Sequence, residues 1–180
     1  KPVRPEIPVA MEVDKMELLK RERELVGMFL SAHPLDQYRF EIKTFTSNTI
    51  GEAAELASQA LQDSSLRGKE MIIAGMVTNS KSSVTKTGRP FVSFSVEDFN
   101  GTIQFSLFGK DYENFMKYTH PGTPLLIKVA ILQKYGFQNN GDDSAKQVDC
   151  ELKVRSMRLL SNTREDFIKS ITLSLPVSMI

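Results

Sequence analysis

An α+β fold, with helices gathered ahead of a five-stranded β-barrel, is what this chain of 180 residues predicts. Three observations point there. Helical periodicity and capping signals are confined to the part of the chain before residue 70. From about residue 70 the apolar spacing drops to a period of two, in short runs separated by Gly, Asn, Asp and Pro. A lone helical pattern then falls between the third and fourth of those runs.

Residues 1–13 carry prolines at positions 2, 5 and 8 among alternating apolar residues, the composition of an extended linker. Residues 14–69 read as helical. Asp14 stands at a cap position, and Glu17 three residues on gives the pattern of a capping box. Leu18, Leu19, Glu22, Leu25, Val26 and Phe29 fall near one helical stripe, and Pro34 disfavours helix at the residue before it. A second helix is predicted over 50–62, capped by Thr49 or Asn48.

The first strand follows over the apolar run 71–77. In the second, over 91–96, Val92, Phe94 and Val96 face one way and Phe91, Ser93 and Ser95 the other. Asp98-Phe99-Asn100-Gly101 is a turn signal, and its Asn-Gly favours a tight hairpin. Ile103, Phe105 and Leu107 alternate with Gln104, Ser106 and Phe108 in a third strand, followed by a helix over 110–118 that Pro121-Gly122 closes. The fourth strand spans 125–132 and the last about 148–159, with a Gly- and Asn-rich loop between them. Strand, strand, strand, helix, strand, strand is the order of an OB-fold barrel, here over residues 70–160. Residues 161–180 form a short partial segment: a helix begins at Thr163, and 170–175 alternate like a strand.

Composition narrows the function. Lys and Arg number 23 against 22 Asp and Glu, so the chain is not a strongly basic nucleic-acid binder. The one cysteine, Cys150, makes neither an internal disulfide nor a multi-thiolate zinc site, which fits a reducing cytoplasm. No run approaches the roughly 18 apolar residues of a membrane span, so no membrane association is expected. The first residues carry no apolar signal core and do not begin with Met, as in a piece of something longer. A phosphate-binding Gly-rich loop and an HExxH helix are both missing, and His33 and His120 each precede a proline in predicted loops. Glu97-Asp98 and Asp142-Asp143 suit turns better than paired catalytic acids. No catalytic site, metal or cofactor is expected, and a binding module is the default.

Two acid-free windows locate a ligand face. Residues 71–96 contain no acid but hold Lys81, Lys86 and Arg89; residues 114–141 contain none but hold Lys117, Lys128 and Lys134. In an OB barrel these windows include the first inter-strand loop and the loop between the last two strands, which flank one face. Lysines and arginine neutralise phosphates, and Phe91, Phe108, Tyr135 and Phe137 offer ring faces for bases. The nucleic-acid-binding candidates are therefore Lys81, Lys86, Arg89, Phe91, Phe108, Lys134, Tyr135 and Phe137.

The segment Glu22-Arg23-Glu24-Leu25-Val26-Gly27-Met28-Phe29-Leu30-Ser31-Ala32-His33-Pro34-Leu35-Asp36-Gln37-Tyr38 resembles the signature that precedes the OB domain near the C-terminal end of bacterial DNA polymerase III alpha subunits. The resemblance continues through Ile73-Ala74-Gly75-Met76-Val77, Thr85-Lys86-Thr87-Gly88-Arg89, Val96-Glu97-Asp98-Phe99-Asn100-Gly101 and Leu107-Phe108, so it covers roughly 15–160. It implies a non-catalytic piece of a DNA-directed DNA polymerase whose metal-binding carboxylates lie upstream. It also implies single-stranded template as ligand, bound weakly, with the sliding clamp and the clamp-loader subunit tau contacted through adjacent regions. Ala32 stands where that family usually has Gly, which implies strain if the position needs a positive φ. The loop over 133–147 is long and polar, so its contacts need not follow the family's. Gln104-Phe105-Ser106-Leu107-Phe108 also resembles a clamp-docking peptide, but its apolar residues are expected in a barrel core. The alternative function is a protein-interaction scaffold linking the clamp-binding and clamp-loader-binding parts. A synthetase anticodon-binding barrel is disfavoured by the helical block over 15–62.

Overall fold

In a computed structural model of the chain, residues 14–27, 29, 31–135 and 148–170 are described. The chain divides into two compact units, Lys1–Asp36 and Gln37–Ile180. In the first, α1 spans Lys15–Val26 and stops at Gly27, whose φ of 87° suits a residue without Cβ. The predicted apolar stripe is split: Leu19 is buried while Leu18, Leu25 and Val26 are at least half exposed. Glu22, inside that stripe, turns its carboxylate to the chain beyond the helix and accepts from the N–H and hydroxyl of Ser31. The His-Pro-Leu-Asp turn closes on itself. The His33 N–H donates to Asp36 Oδ2 at 2.8 Å, the Asp36 N–H to the His33 carbonyl at 2.9 Å, and the Leu35 N–H to His33 Nδ1 at 3.1 Å. No described residue other than Gly has a positive φ, so Ala32 carries no such strain.

The second unit opens with a helix that the spacing did not predict, α2 over Arg39–Phe45. Next, α3 spans Ile50–Gln59, begun by a complete capping box between Thr49 and Glu52. The strands are β1 (Glu70–Val84), β2 (Pro90–Glu97), β3 (Thr102–Phe108), β4 (Pro124–Tyr135) and β5 (Val148–Leu159), with α4 (Gly109–Phe115) between β3 and β4 and α5 (Thr163–Phe167) last. They form one five-stranded sheet in the order β3-β2-β1-β4-β5, with every neighbouring pair antiparallel. This is the partly open barrel of the OB-fold. Residues 171–175 of the predicted last strand lie outside the described residues.

Alternation builds the core. Met71, Ile73, Val77, Val92, Phe94, Val96, Phe105, Leu107, Ile127 and Ile131 all point inward, and Ile50 and Ala53 of α3 pack into the same core. Phe105 and Leu107 are 4% and 2% exposed, which leaves the clamp-peptide-like stretch as an ordinary core strand. Ala74, Met76 and Leu126, on the opposite side of β1 and β4, are buried as well. There α2 is tied to β1 through Ser47, whose N–H donates to the Ile72 carbonyl and whose hydroxyl accepts from the Ile72 N–H. Among the described residues the outer face of β2 and β3 has no such cover: Gln104, Ser106 and Phe108 are exposed.

Two local expectations need correction. The Asn100-Gly101 pair does not make a primed hairpin turn, because neither residue has a positive φ. Asp98 makes the turn instead. Its N–H donates to the Gly101 carbonyl, its Oδ1 accepts from the N–H groups of Asn100 (2.7 Å) and Gly101 (2.8 Å), and its Oδ2 accepts from the Ile50 N–H (2.8 Å). One carboxylate thus fastens the β2–β3 turn to the first residue of α3. Likewise β1 does not end at residue 77 but runs on to Val84, after a bulge between Val77 and Asn79. Residues 79–84 carry little apolar pattern; the hydrogen-bond ladder to β2, not core burial, holds them extended.

Candidate nucleic-acid interface

The extension of β1 turns β1 and β2 into an arm that outruns the core, with Val84 near its tip 66% exposed. The turn closing the arm is tightly bonded. The Thr85 N–H donates to the Arg89 carbonyl (2.8 Å), the Gly88 N–H to the Thr85 carbonyl (2.9 Å) and the Arg89 N–H to Thr85 Oγ1 (3.1 Å). Gly88, with φ of 76°, supplies the left-handed residue that this turn needs.

Register aligns the outward residues of three strands into rows. Asn79 pairs with Ser95 and Ser95 with Gln104; Lys81 pairs with Ser93 and Ser93 with Ser106; Ser83 pairs with Phe91 and Phe91 with Phe108. Residues directly opposite on antiparallel strands share a face, so these rows make one surface. Phe91 and Phe108 stack with ring centroids 5.1 Å apart and planes 16° from parallel. Ser93 Oγ and Ser106 Oγ share a hydrogen bond of 2.9 Å. Phe108 is 52% exposed.

Electrostatics separates this arm from the opposite side of the barrel. On β4, β5 and α5, Lys128 pairs with Glu70, Lys153 with Asp111, Arg158 with Asp166 and Arg164 with the buried Glu41. Lys81, Lys86 and Arg89 are all exposed and make no ion pair among the described residues. Lys81 shares the outer face with the ring pair, while Lys86 and Arg89 occupy the turn at its tip.

Five of the eight candidates, Lys81, Lys86, Arg89, Phe91 and Phe108, therefore belong to one hairpin arm and its neighbouring strand. Lys134 and Tyr135 end β4, opposite Asp149 and Val148 of β5 and two strands from β2 in the sheet order. Phe137 lies outside the described residues. The Ser93–Ser106 hydroxyl pair and Gln104 were not predicted as site residues. Alternation marks them as outward-facing, but only the register shows that they adjoin Lys81 and the rings. Among the described residues no three His, Cys, Asp or Glu side chains come together as a metal site.

Residues 71–160 match the family described as OB-fold nucleic acid binding domain. The chain is 26% identical over 159 residues to DNA polymerase III subunit alpha of Haemophilus influenzae, covering 88% of this chain and 12% of that protein. It is 28% identical over 126 residues to the subunit of the same name from Saccharopolyspora erythraea, covering 69% and 10%. The chain thus spans about a tenth of the length of these relatives. A mitochondrial single-stranded DNA binding protein of Saccharomyces cerevisiae aligns over 52% of this chain and 96% of its own, with 14% identity and a TM-score of 0.35. The chain belongs to the OB-fold nucleic acid binding domain family and is homologous to a segment of bacterial DNA polymerase III alpha subunits.

Proposed function

We propose that this chain is a non-catalytic module that binds single-stranded template DNA within a bacterial replicative polymerase. The observation that carries this reading is the β1–β2 arm, where exposed cations without ion pairs adjoin a stacked phenylalanine pair on an uncovered sheet face. Cations follow the phosphates and the rings accept bases without regard to sequence. Lys134, Tyr135 and Phe137 would extend the contact from the β4–β5 side. With the rest of the parent polymerase supplying catalysis in the cytoplasm, the segments 14–69 and 161–180 would join the barrel to the parts that meet the sliding clamp and the clamp-loader subunit tau. No helix among the described residues is long and apolar enough to cross a membrane.

The test is a titration of labelled oligothymidylate at several salt concentrations. Neutralising about three phosphates of a single strand gives a slope of log affinity against log salt near −2. Replacing Lys81, Lys86 and Arg89 by Ala should weaken binding and flatten that slope toward zero. Equal affinity and slope for the two proteins would sink the reading.

A scaffold role is favoured by a separate observation. Phe40 and Phe167, both about half exposed, lie under the guanidinium groups of Arg164 and Arg158 at 5.2 Å. Half-exposed rings beside arginines are common anchors of protein interfaces. Capture of another replisome subunit, lost on replacing Phe40 and Phe167 but kept by the triple Ala variant, would establish that role.

A further inference from the structure

The two rings of the exposed face are not equivalent, and their geometry separates their tasks. A base inserted between parallel rings needs about twice the usual stacking distance, roughly 7 Å, and Phe91 and Phe108 stand only 5.1 Å apart. A base therefore stacks on an outward ring face. Phe108 lies on β3, an edge strand of the sheet, and is 52% exposed. Phe91 lies on β2, between β3 and β1, is only partly exposed, and has Phe108 on one side and Ser83 opposite it on the other. One row along the same face, the Ser93–Ser106 pair joins β2 to β3 by a 2.9 Å hydrogen bond. A pair of hydroxyls sharing one hydrogen bond keeps one further donor and free lone pairs for a ligand. The face is thus cationic and aromatic at one end and uncharged beyond it, at Ser95 and Gln104.

We propose that Phe108 is the single base-stacking platform of this face, that Phe91 is a positioning ring behind it, and that the Ser93–Ser106 pair is the adjoining polar contact. This rests on the single-strand reading above. The cations that attract phosphates sit at the ring end of these rows, so the footprint is short and one-sided. Phe91 acts through Phe108: its stacking contact holds the edge-strand ring upright, ready for a base.

Irradiation of the whole chain with oligothymidylate carrying one 5-iododeoxyuridine, followed by peptide mapping, tests the assignment. The covalent adduct is expected on Phe108. Phe108→Leu should weaken binding about tenfold. Phe91→Leu should cost about threefold and move the adduct off Phe108, while Phe91→Tyr, which keeps a ring in place, restores both. Circular dichroism confirms that each variant is folded. An adduct on Phe91, or a larger loss from Phe91→Leu than from Phe108→Leu, overturns this assignment while leaving single-strand binding intact. No binding by the unaltered chain in low salt overturns the functional reading and the assignment together.

Discussion

At Gly75 of β1, residues of β2 and α3 crowd the space that a Cβ would need, and replacing it with alanine tests how tightly the arm is anchored. A Cβ there would lie 2.5 Å from Val96 Cγ1, 2.9 Å from the Glu97 carbonyl oxygen and 3.0 Å from Ile50 Cδ1. None of the three yields cheaply. Val96 is β-branched and fully buried, Ile50 is buried under α3, and the carbonyl belongs to the backbone of β2. Overpacking of this kind costs about 1–3 kcal/mol. Gly75 does not have a positive φ, so the loss of unfolded-chain freedom returns about 0.4–1 kcal/mol. The net is a destabilisation of about 1–2 kcal/mol, or roughly 2–8 °C in Tm for a chain of this size. Urea unfolding followed by circular dichroism measures it. Gly51→Ala is the control: its nearest neighbour is the Asn100 carbonyl oxygen at 3.7 Å and the site is helical, so alanine should be neutral or stabilising by up to about 1 kcal/mol. Val96→Ala should relieve part of the Gly75→Ala cost, because it removes the closest methyl. A Gly75→Ala protein as stable as the original would refute the packing argument at the root of the arm.

Two other perturbations address the same frame. Asp98→Ala leaves the N–H groups of Ile50, Asn100 and Gly101 without their acceptor, and should cost about 2–3 kcal/mol in thermal unfolding and speed hydrogen exchange at Ile50; unchanged exchange at Ile50 would show that the tether to α3 does not matter. At Glu70, a hydrogen bond to Lys128 is the main cause holding the carboxyl below its ordinary value of 4.5. A depressed folded-state value adds stability above the unfolded value and loses it as pH falls through the folded one. Stability should therefore fall below about pH 4.5 more steeply in the original chain than in Glu70→Gln, and molar salt should erase the difference because the pair is exposed. Identical acid limbs in low salt would show that the pair contributes nothing.

Most of the barrel was legible because alternation in 91–96 and 103–108 is strict and Asp98-Phe99-Asn100-Gly101 marks where the chain turns between them. What escaped did so for identifiable reasons. In α2, Phe40 and Ile42 alternate with Arg39, Glu41 and Lys43, so a helix of 7 residues imitates a strand. It is fixed by tertiary contacts, notably the buried Glu41 carboxylate against Arg164 of α5, more than 100 residues away in sequence. The far half of β1 was missed because its ladder to β2, and not apolar pattern, keeps it extended. The Asn-Gly signal misled because the Asp98 side chain supplies the hydrogen bonds that a primed turn would have made. Of the candidate site, the cations were visible from the acid-free window. The hydroxyl row was not, since placing Ser93 beside Lys81 and Ser106 requires the register of three strands.

Register and pairing together explain how a chain of net charge +1 can present a cationic surface. Its acids are not spread evenly against its bases. Glu70, Asp111, Asp166 and Glu41 are engaged by Lys128, Lys153, Arg158 and Arg164, which cancels charge locally on the β4–β5 side. Exposed charges are screened beyond about 8–10 Å at physiological salt, so what a ligand meets is the neighbourhood and not the total. Around Lys81, Lys86 and Arg89 that neighbourhood contains no carboxylate from residues 71–96, because none exists there. The same reasoning limits affinity. On the single-strand reading, about three cations give a salt slope of only about −2, too few charge contacts for tight binding by the arm alone.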